Sequence, residues 1–283
     1  PDLVHLNTVF PAGIFALYLK FFHKKKYILS EHWTGFNPEI FSQFPFFKRR
    51  MIRWILNNSA FVMPVSADLG EKMLKVSPGL KIEVMPNVVD TERFSVTYPK
   101  QAHPKVRFLH LSMLDDKHKN ISGMLRVAKR LATEGLPFEL HIGGNGPLDA
   151  ISDFVKENNL EDAIFPFGAL QHDQVPTKIA QADCFVLFSN YENQPCVQGE
   201  DLACGIPMIG TDVGGIKEFL PQDCGILIAK ADEDALYEAM KSVINGRKFA
   251  DPADMHRFAV ENFSAESLSS RFKNIYLSVL NES

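Results

Sequence analysis

Short apolar runs rich in valine, isoleucine and phenylalanine alternate along the chain with longer stretches of helical period. This alternation is typical of parallel sheets covered by helices, so both halves of the chain are predicted to be Rossmann-like α/β units. The runs that predict strands are 3–7, 27–31, 61–65, 82–85, 106–112, 138–143, 184–189, 207–211 and 225–228.

Two helices and a linker give the predicted domain organisation. Residues 121–134 place five apolar side chains on one helical face, and 265–280 do the same after the N-cap candidate Ser264. Residues 93–104 have two prolines and no clear period, which indicates a linker. We expect an N-terminal domain over 1–97, a second domain over 98–264, and a C-terminal helix over 265–283 that packs back towards the first domain.

Composition excludes several classes of protein. The 283 residues are 46% hydrophobic and 23% charged, as in ordinary soluble globular proteins, which argues against disordered and fibrous chains. A net charge of -4 argues against a nucleic-acid binder. The four cysteines form no CxxC pair, and the chain has no apolar run of the ~18 residues that a membrane span needs. A cytoplasmic protein with reduced thiols and no metal site is therefore expected.

The basic side chains are concentrated near the start of the chain. Residues 1–60 carry eight basic and three acidic side chains, and residues 44–55 combine aromatic rings with four of the basic ones on a predicted helix. One interpretation is peripheral contact with an anionic membrane at its inner, cytoplasmic face. The other is an amphipathic helix that buries Phe47, Met51, Trp54 and Ile55 and leaves its cations in water.

The stretch 189–220 contains the most informative chemistry. A strand is predicted to end at Ser189, a polar loop carries Glu192, and a helix begins near Cys196 with Glu200 and Asp201 in its first turns. Such a strand-to-helix turn offers backbone N–H groups and a positive helix end to a diphosphate, and carboxylates accept hydrogen bonds from diols. The alternative is that Glu192 is a solvated loop charge and Glu200 a helix-start acid.

The same stretch resembles the donor-binding segment of retaining glycosyltransferases of family four, which have the GT-B fold of two Rossmann-like domains facing each other across a cleft. The matching elements are Glu192 and Glu200 as an E-x7-E pair, Gly205-Ile206-Pro207, and the D-x-G-G-x-x-E turn 212–218. The resemblance implies that Glu192 contacts the donor sugar, that Glu200 binds the ribose hydroxyls, and that the backbone of five residues approaches the sugar and diphosphate: Asn193, Gln194, Pro195, Cys196 and Val197.

Further motifs match the family in the expected order. Residues 143–147 resemble its G-x-G-P turn, which implies a donor contact at Gly144, although alone they would be an ordinary strand-to-helix turn. Residues 165–168 look like the loop against which the nucleobase lies, which implies a contact with Phe167. Residues 85–90 resemble its P-N-G-V-D segment, with Val88 in place of the glycine.

A basic pair near the start of the second domain would neutralise the departing diphosphate. In the family this is an arginine followed by a lysine. Here Lys119 matches the lysine, whereas Met113 occupies the arginine position. Because methionine cannot neutralise a phosphate, we expect Lys117, His118 or a residue of the other domain to compensate, or a lower donor affinity.

In the first half, His32 follows a predicted strand. A lone histidine there is compatible with a structural role, but the resemblance implies contact with the donor sugar. Residues 1–5 are similar to a strand in the middle of the family's N-terminal domain. We therefore expect the first part of that domain to be missing or its exposed edge to be covered by a partner, and sugar transfer by this chain to be poor.

These observations predict a retaining glycosyltransferase that moves a sugar from a nucleotide-sugar donor to a sugar or lipid-linked glycan acceptor, in cell-surface glycan synthesis, without a further cofactor. Its predicted catalytic residues are Glu192, Lys119 and His32. Two alternatives stay open. One is a nucleotide-sugar epimerase-like enzyme of the same fold, and the other is a catalytically weak partner subunit that binds the nucleotide sugar.

Overall fold

A computed structural model describes residues 2–97 and 103–281 of the chain. Its contacts form two compact units. The first unit comprises Pro1–Val88, Asn193–Pro195 and Asn262–Ser283, and the second comprises Val89–Glu192 and Cys196–Glu261. The predicted boundary between 97 and 98 borders residues 98–102, which lie outside the described residues. The division into 1–97, 98–264 and 265–283 therefore stays a prediction.

Strands and helices alternate along much of the described chain, and three helices follow one another at its end. Two short 3-10 helices, Thr34–Phe36 and Lys217–Phe219, accompany them. The other elements are, in chain order, β1 (Leu3–Leu6), α1 (Ala12–His23), β2 (Lys26–Glu31), α2 (Pro38–Ser42), α3 (Phe46–Asn58), β3 (Phe61–Pro64), α4 (Ala67–Val76), β4 (Val106–Met113), α5 (Asp116–Lys119), α6 (Ile121–Thr133), β5 (Phe138–Asn145), α7 (Asp149–Glu157), β6 (Ile164–Phe167), α8 (Val175–Ala180), β7 (Cys184–Leu187), α9 (Cys196–Ala203), β8 (Met208–Thr211), β9 (Gly225–Ile228), α10 (Glu233–Ile244), α11 (Pro252–Phe263) and α12 (Ala265–Asn281).

The first unit contains a parallel sheet in the order β1-β2-β3. The strand predicted over 82–85 is wrong, because Ile82 makes a single bridge with Val62. The backbone N–H of Glu83 donates to Val62, and that of Met85 donates to Pro64. Proline has no N–H to donate in return, so the ladder is interrupted at Pro64.

Helix α12 packs within the first unit and begins one residue after Ser264, whose hydroxyl accepts the backbone N–H of Ser267 at 3.1 Å. Its apolar face enters a cluster with residues of β2, β3 and the segment after α4. The helix predicted over 265–280 is confirmed. The buried side chains of the cluster are Ile28, Met63, Met85, Leu268, Ile275 and Val279.

Helix α3 differs from the amphipathic helix considered above. Ile52, Ile55 and Leu56 are its buried side chains, whereas Phe47 is 74% exposed and Trp54 is 46% exposed. The interpretation that buries Phe47 and Trp54 is therefore wrong. The buried stripe lies at positions i, i+3 and i+4 from Ile52, which turns Phe47 and Trp54 away from the core, while Met51 is half-buried against it.

The second unit contains a six-stranded parallel sheet in the order β6-β5-β4-β7-β8-β9. In chain order within the unit this is 3-2-1-4-5-6, the order of a doubly wound dinucleotide-binding sheet. The order reverses between β4 and β7, and ligands of such sheets bind at the carboxyl ends of the strands on either side of the reversal. The loops after β4 and β7 are therefore where a ligand is expected.

The nucleobase loop predicted at 165–168 is wrong in its first three residues. Phe165, Pro166 and Phe167 belong to β6, which pairs in parallel with β5. Proline is tolerated because β6 is the edge strand of the sheet, so the missing N–H breaks no second ladder. Within residues 2–97 and 103–281, the structure has no helix long and apolar enough to cross a membrane.

Candidate active site

The loop after β4 places Lys119 at the switch point of the sheet. The carboxylate of Asp115 accepts the backbone N–H of Lys117 and so caps the short helix α5. Asn190, from the loop after β7, holds the other end of α5: its backbone N–H donates to the carbonyl of His118 at 2.7 Å, and its side chain donates to the carbonyl of Lys117 at 3.1 Å. These bonds join the loops after β4 and β7.

The loop after β7 positions Glu192 in the same way. Thr211 on β8 is buried and donates to the carbonyl of Ser189 at 2.7 Å, and the Ser189 hydroxyl donates to Glu192 Oε1 at 2.8 Å. The Lys119 ammonium donates to the same carboxylate oxygen. The side chains of Lys119 and Glu192 are 18% and 9% exposed, so the ion pair is largely withdrawn from water. Lys119 and Glu192, which are 73 positions apart in the sequence, thus meet at the carboxyl ends of the central strands.

Helix α9 follows this loop and carries Glu200. Burial raises the pKa of Glu200 to about 7. Among the described residues its carboxylate has no hydrogen-bond or ion-pair partner, which leaves both oxygens free to accept from a ligand. Glu200 and Glu192 both lie near the thiol of Cys196, the first residue of α9, and together with burial they raise its pKa. The two acids of the E-x7-E pair therefore face one region of the second unit.

The sequence indicated Asp201, next to Glu200, only as an acid in the first turns of the helix. Its side chain is fully buried, and neither carboxylate oxygen has a hydrogen-bond partner in the part of the chain that the structure describes. Burial, followed by the nearby Glu200, raises the pKa of Asp201 well above its ordinary value. Burial therefore favours the protonated form of Asp201, and Glu200 is the acid of α9 whose carboxylate is open to a ligand.

Close packing between strands explains why glycines occur at the end of β5. A Cβ at Gly144, whose φ is +134°, would lie 1.9 Å from the carbonyl oxygen of Ser112 on β4. A Cβ at Gly143 would lie 2.1 Å from the carbonyl oxygen of Phe167. The close approach of three strands thus requires glycine here whether or not a donor binds, and the predicted donor contact at Gly144 stays a prediction.

Phe167 is half-buried at the carboxyl end of β6, and the Lys178 ammonium lies 4.7 Å from its ring centroid. A nucleobase that stacks on this ring therefore shares the ring with a cation or uses its other face. The contact between Phe167 and the base stays a prediction.

Met113, at the position where the family has arginine, is the last residue of β4 and is 66% exposed. Of the two neighbours considered as substitutes, His118 is paired with the carboxylate of Asp115, whereas Lys117 is exposed. A further cation, Lys230, lies with its ammonium 4.2 Å from the ring centroid of Tyr191, beside Glu192 in the chain. No sequence motif pointed to Lys230.

In the first unit, Glu31 shapes the loop that carries His32. Glu31 is fully buried, and its carboxylate accepts backbone N–H groups from Val9, His32 and Trp33 at 2.8–2.9 Å. Burial raises the pKa of Glu31 to about 7 against the opposing effect of these three bonds. The bonds fix the backbone on both sides of His32.

Asn87 determines which nitrogen of His32 carries the proton. The Asn87 side-chain nitrogen donates to the carbonyl of Gln194 at 2.8 Å, so its oxygen faces His32 Nδ1, also at 2.8 Å. Nδ1 must then be the donor, which leaves Nε2 of the neutral ring as an acceptor. Burial lowers the pKa of His32 and so favours this neutral form.

Asn193 and Gln194 belong to this network rather than to the second unit. The Asn193 side chain donates to the carbonyl of His32 at 2.8 Å, and the backbone N–H of Asn87 donates to Gln194 Oε1 at 2.8 Å. The Gln194 side-chain nitrogen is buried and has no partner among the described residues. Pro195 is also in the first unit, whereas Cys196 and Val197 begin α9 in the second.

The amino-acid motifs gave no role to several residues that build these sites. Asn87 lies in the segment that resembles P-N-G-V-D, so its position was visible but its bond to His32 was not. Ser189, Asn190 and Thr211 carry the polar contacts around Glu192, and their only signal was that they end strands or follow them at the switch point.

Comparison with known proteins gives two family matches. Residues 105–246 match the family "Glycosyl transferases group 1", and residues 1–93 match "Glycosyltransferase Family 4". A relative from Bacillus anthracis, named N-acetyl-alpha-D-glucosaminyl L-malate synthase, is 26% identical over 99% of the chain and 76% of its own length. A human relative, named as one of the subunits of phosphatidylinositol N-acetylglucosaminyltransferase, is 26% identical over 69% of the chain and 40% of its own length. The chain thus spans less than half of that curated relative.

Solved structures give the fold. Anabaena Alr3699/HepE, in a complex with UDP, has a TM-score of 0.86 at 16% identity over 98% of the chain and 79% of that protein. The predicted GT-B fold and the prediction of a glycosyltransferase are confirmed at the level of the family. With a group 1 match over half of its residues and a family 4 match before it, the chain belongs to the group 1 glycosyltransferases.

Proposed function

We propose that the chain acts in the transfer of a sugar from a nucleotide-sugar donor to an acceptor hydroxyl, with retention of configuration at the anomeric carbon. The observation that carries this proposal is the pair of Lys119 and Glu192 at the switch point of a doubly wound sheet, with the unpartnered Glu200 on the following helix. A cation for phosphate and acceptors for hydroxyl groups are what a nucleotide sugar requires.

The proposed reaction is same-face attack within the donor complex. The bond between the anomeric carbon and the diphosphate oxygen breaks, and its electron pair leaves with the diphosphate. The acceptor oxygen forms the new bond on the same face, and its proton passes to the departing diphosphate oxygen. Lys119 stabilises the charge that builds up on the diphosphate, and this reaction needs no metal or other cofactor.

On the donor side, Glu200 accepts hydrogen bonds from the two ribose hydroxyls, and Glu192 accepts from a hydroxyl of the sugar. The N-terminal end of α9 at Cys196 and Val197 faces the diphosphate with backbone N–H groups. The UDP complex of Anabaena Alr3699/HepE, a protein of similar fold, supports a nucleoside diphosphate as the donor core. We assign neither the base nor the sugar.

In the first unit, the neutral His32 offers Nε2 as an acceptor to a sugar hydroxyl. We propose a sugar or a lipid-linked glycan as the acceptor, and a role in cell-surface glycan synthesis at the inner face of the membrane. The human relative named for a phosphatidylinositol acceptor supports a lipid-linked one. Peripheral contact through residues 44–55 belongs to the same proposal, since α3 exposes Phe47 and Trp54.

Two observations favour a second candidate, a partner subunit that binds the donor but turns it over slowly. Met113 supplies no charge where the family has arginine, and Glu192 neutralises part of the charge of Lys119. The chain would then bind the donor but transfer its sugar slowly.

The test is a panel of UDP-, GDP- and ADP-sugars, with and without sugar acceptors, with separate assays of donor binding, product and anomeric configuration. Transfer with retention supports the proposal, and isomerised donor supports an epimerase-like enzyme instead. Tight binding without turnover supports the partner subunit. Product of inverted configuration, or no binding of any donor, would contradict the proposal.

A further inference from the structure

The outer surface of α1 and α3 in the first unit exposes an unusual number of aromatic rings. On α1, Ile14, Phe15, Tyr18, Phe21 and Phe22 lie at i, i+1, i+4, i+7 and i+8, and their exposure runs from 45% for Ile14 to 75% for Phe22. Such spacing places all five on one helical face. The opposite face of α1 buries Gly13, Ala16 and Leu17. The helix therefore packs on the core with one apolar face and exposes a second apolar face.

Helix α3 continues the same surface. A Cβ at Gly13 would lie 2.5 Å from the Ile55 side chain, which shows how closely the two helices pack. The rings of Phe21 and Trp54 stack across the helix pair with centroids 5.6 Å apart. Phe46 and Phe47 extend the apolar area at 69% and 74% exposure. We call this surface the α1–α3 face.

The charge of the α1–α3 face has one sign. Residues 12–26 and 46–58 carry eight basic side chains and no acidic one. Lys24, Arg50 and Arg53 are exposed. Arg50 lies one helical turn after Phe46, whereas the Arg53 guanidinium donates to the carbonyl of Val76 at 3.3 Å. The whole chain, in contrast, has a net charge of -4. A helical surface that combines aromatic rings and cations is suited to a partner with an apolar interior and anionic groups at its surface.

We propose that the α1–α3 face binds the surface of an anionic lipid bilayer, with the α1 aromatic row inserted among the headgroups and the cations on lipid phosphates. A second copy of the chain is disfavoured on the face, because it would bring the exposed cations of two copies together with no acidic side chain in residues 12–26 or 46–58 to pair with them. The inference deepens the proposed function by naming the surface on which the acceptor resides. It adds α1, which the sequence motifs did not indicate.

The test is co-sedimentation of the full chain with vesicles of phosphatidylcholine alone or with about one third phosphatidylglycerol. Binding to the anionic vesicles that weakens with added salt is expected. Phe22→Ser should weaken it about tenfold through lost apolar burial, and Arg50→Glu at least about fivefold through the lost cation. Matched controls in the same unit are Leu277→Ser, an apolar residue exposed on α12, and Lys75→Glu, a lysine exposed on α4.

Thermal midpoints verify that each variant is folded, and no nucleotide is needed, so failure of sugar transfer leaves this test unaffected. The proposal is overturned if anionic and neutral vesicles bind equally, or if Phe22→Ser and Arg50→Glu bind like their controls. It is also overturned if light scattering shows self-association that Phe22→Ser abolishes, since a second copy would then cover the face. Quenching of Trp54 fluorescence by brominated lipid that Phe22→Ser reduces would support insertion.

Discussion

The ammonium group of Lys119 donates a hydrogen bond to the carboxylate of Glu192, and the Ser189 hydroxyl donates to the same carboxylate oxygen. The cation that we propose for the diphosphate and the acid that we propose for the sugar therefore neutralise each other in a largely buried pair. A donor that enters must share Lys119 with Glu192 or displace it. Affinity for the diphosphate and the rate of transfer thus depend on this pair in different ways.

Lys119→Ala and Glu192→Gln are expected to change binding in opposite directions. Lys119→Ala should weaken UDP, GDP or ADP binding a few-fold and reduce turnover by about 10²-fold or more, because the charge on the diphosphate develops mainly in the transition state. Glu192→Gln frees the ammonium group and should tighten nucleoside diphosphate binding, while it lowers turnover through the weaker sugar contact. Calorimetric titration and single-turnover rates separate the two effects.

Lys129→Ala is the matched control, because Lys129 is an exposed lysine on α6 of the same unit and has no proposed role in the site. It should change neither quantity by more than about twofold, as for an exposed charge screened by water. Normal turnover in Lys119→Ala would remove that residue from the chemistry.

Glu200 should make nucleotide binding dependent on pH. Burial raises its pKa to about 7, so the carboxylate is mostly protonated at pH 6 and mostly charged at pH 8. The charged form accepts from both ribose hydroxyls, and affinity should therefore rise by up to about tenfold over this interval. Glu200→Ala should weaken binding by roughly 1.5 to 3 kcal/mol, or about 10- to 150-fold.

Ionisation of the nucleotide phosphate also falls in this pH range, and Glu200→Gln is the control for it. The glutamine variant keeps the phosphate contribution and loses the rest of the pH dependence. A 2′-deoxynucleotide gives a second control, since it should bind wild type more weakly than the ribonucleotide but bind Glu200→Ala equally. An unchanged pH profile in Glu200→Gln would place the ribose elsewhere.

The strand, loop and helix of the segment 184–203 were predicted correctly because they are local features, whereas the role of this segment in donor binding stays a prediction. Ser189, Glu192 and Glu200 follow one another through one loop and one helix, and the resemblance of the whole stretch to a family segment indicated the two acids. The contact between Lys119 and Glu192 is different. It depends on the reversal of strand order between β4 and β7, which hydrophobic periodicity does not reveal.

The errors have physical causes of the same kind. Residues 165–168 were predicted to be a loop from their resemblance to a family segment. Pro166 is compatible with a strand there because β6 is the edge strand of the sheet, which the sequence did not show. Phe47 and Trp54 lie at helical spacing, which is equally compatible with a core face and an exposed face. The aromatic row of α1 shares this ambiguity, because periodicity shows that side chains share a face but not what covers it.

The buried Asp201 is expected to lower the free energy of unfolding at high pH. Its native pKa lies well above the ordinary value because of burial, whereas in the unfolded chain it titrates near pH 4. Between these values the native state binds more protons than the unfolded state, so this group lowers the free energy of unfolding as pH rises. Asp201→Asn removes that loss. At pH 8 the variant should have a higher thermal midpoint than wild type, and its free energy of unfolding should be larger by an amount on the order of 1–3 kcal/mol.

The advantage of Asp201→Asn should shrink towards pH 5, where wild-type Asp201 keeps its proton at little cost. Scanning calorimetry at both pH values measures this difference. Glu238→Gln on α10 is a control, since Glu238 is an exposed acid of the same unit. A variant less stable than wild type at pH 8 would show that the Asp201 carboxylate is charged and paired in solution.

Met113→Arg should restore part of the missing charge at the switch point. Met113 ends β4, six residues before Lys119, and is 66% exposed, so an arginine there meets no packing obstacle. A guanidinium group can bind phosphate oxygens bidentately, and one such contact is worth about 1.5 to 3 kcal/mol, or roughly 10- to 150-fold in dissociation constant. Met113→Gln, of similar length and without charge, is the matched control. If the arginine variant binds UDP, GDP and ADP no better than the glutamine variant at low salt, the diphosphate does not approach the end of β4, and Lys230 beside Tyr191 becomes the next cation to test.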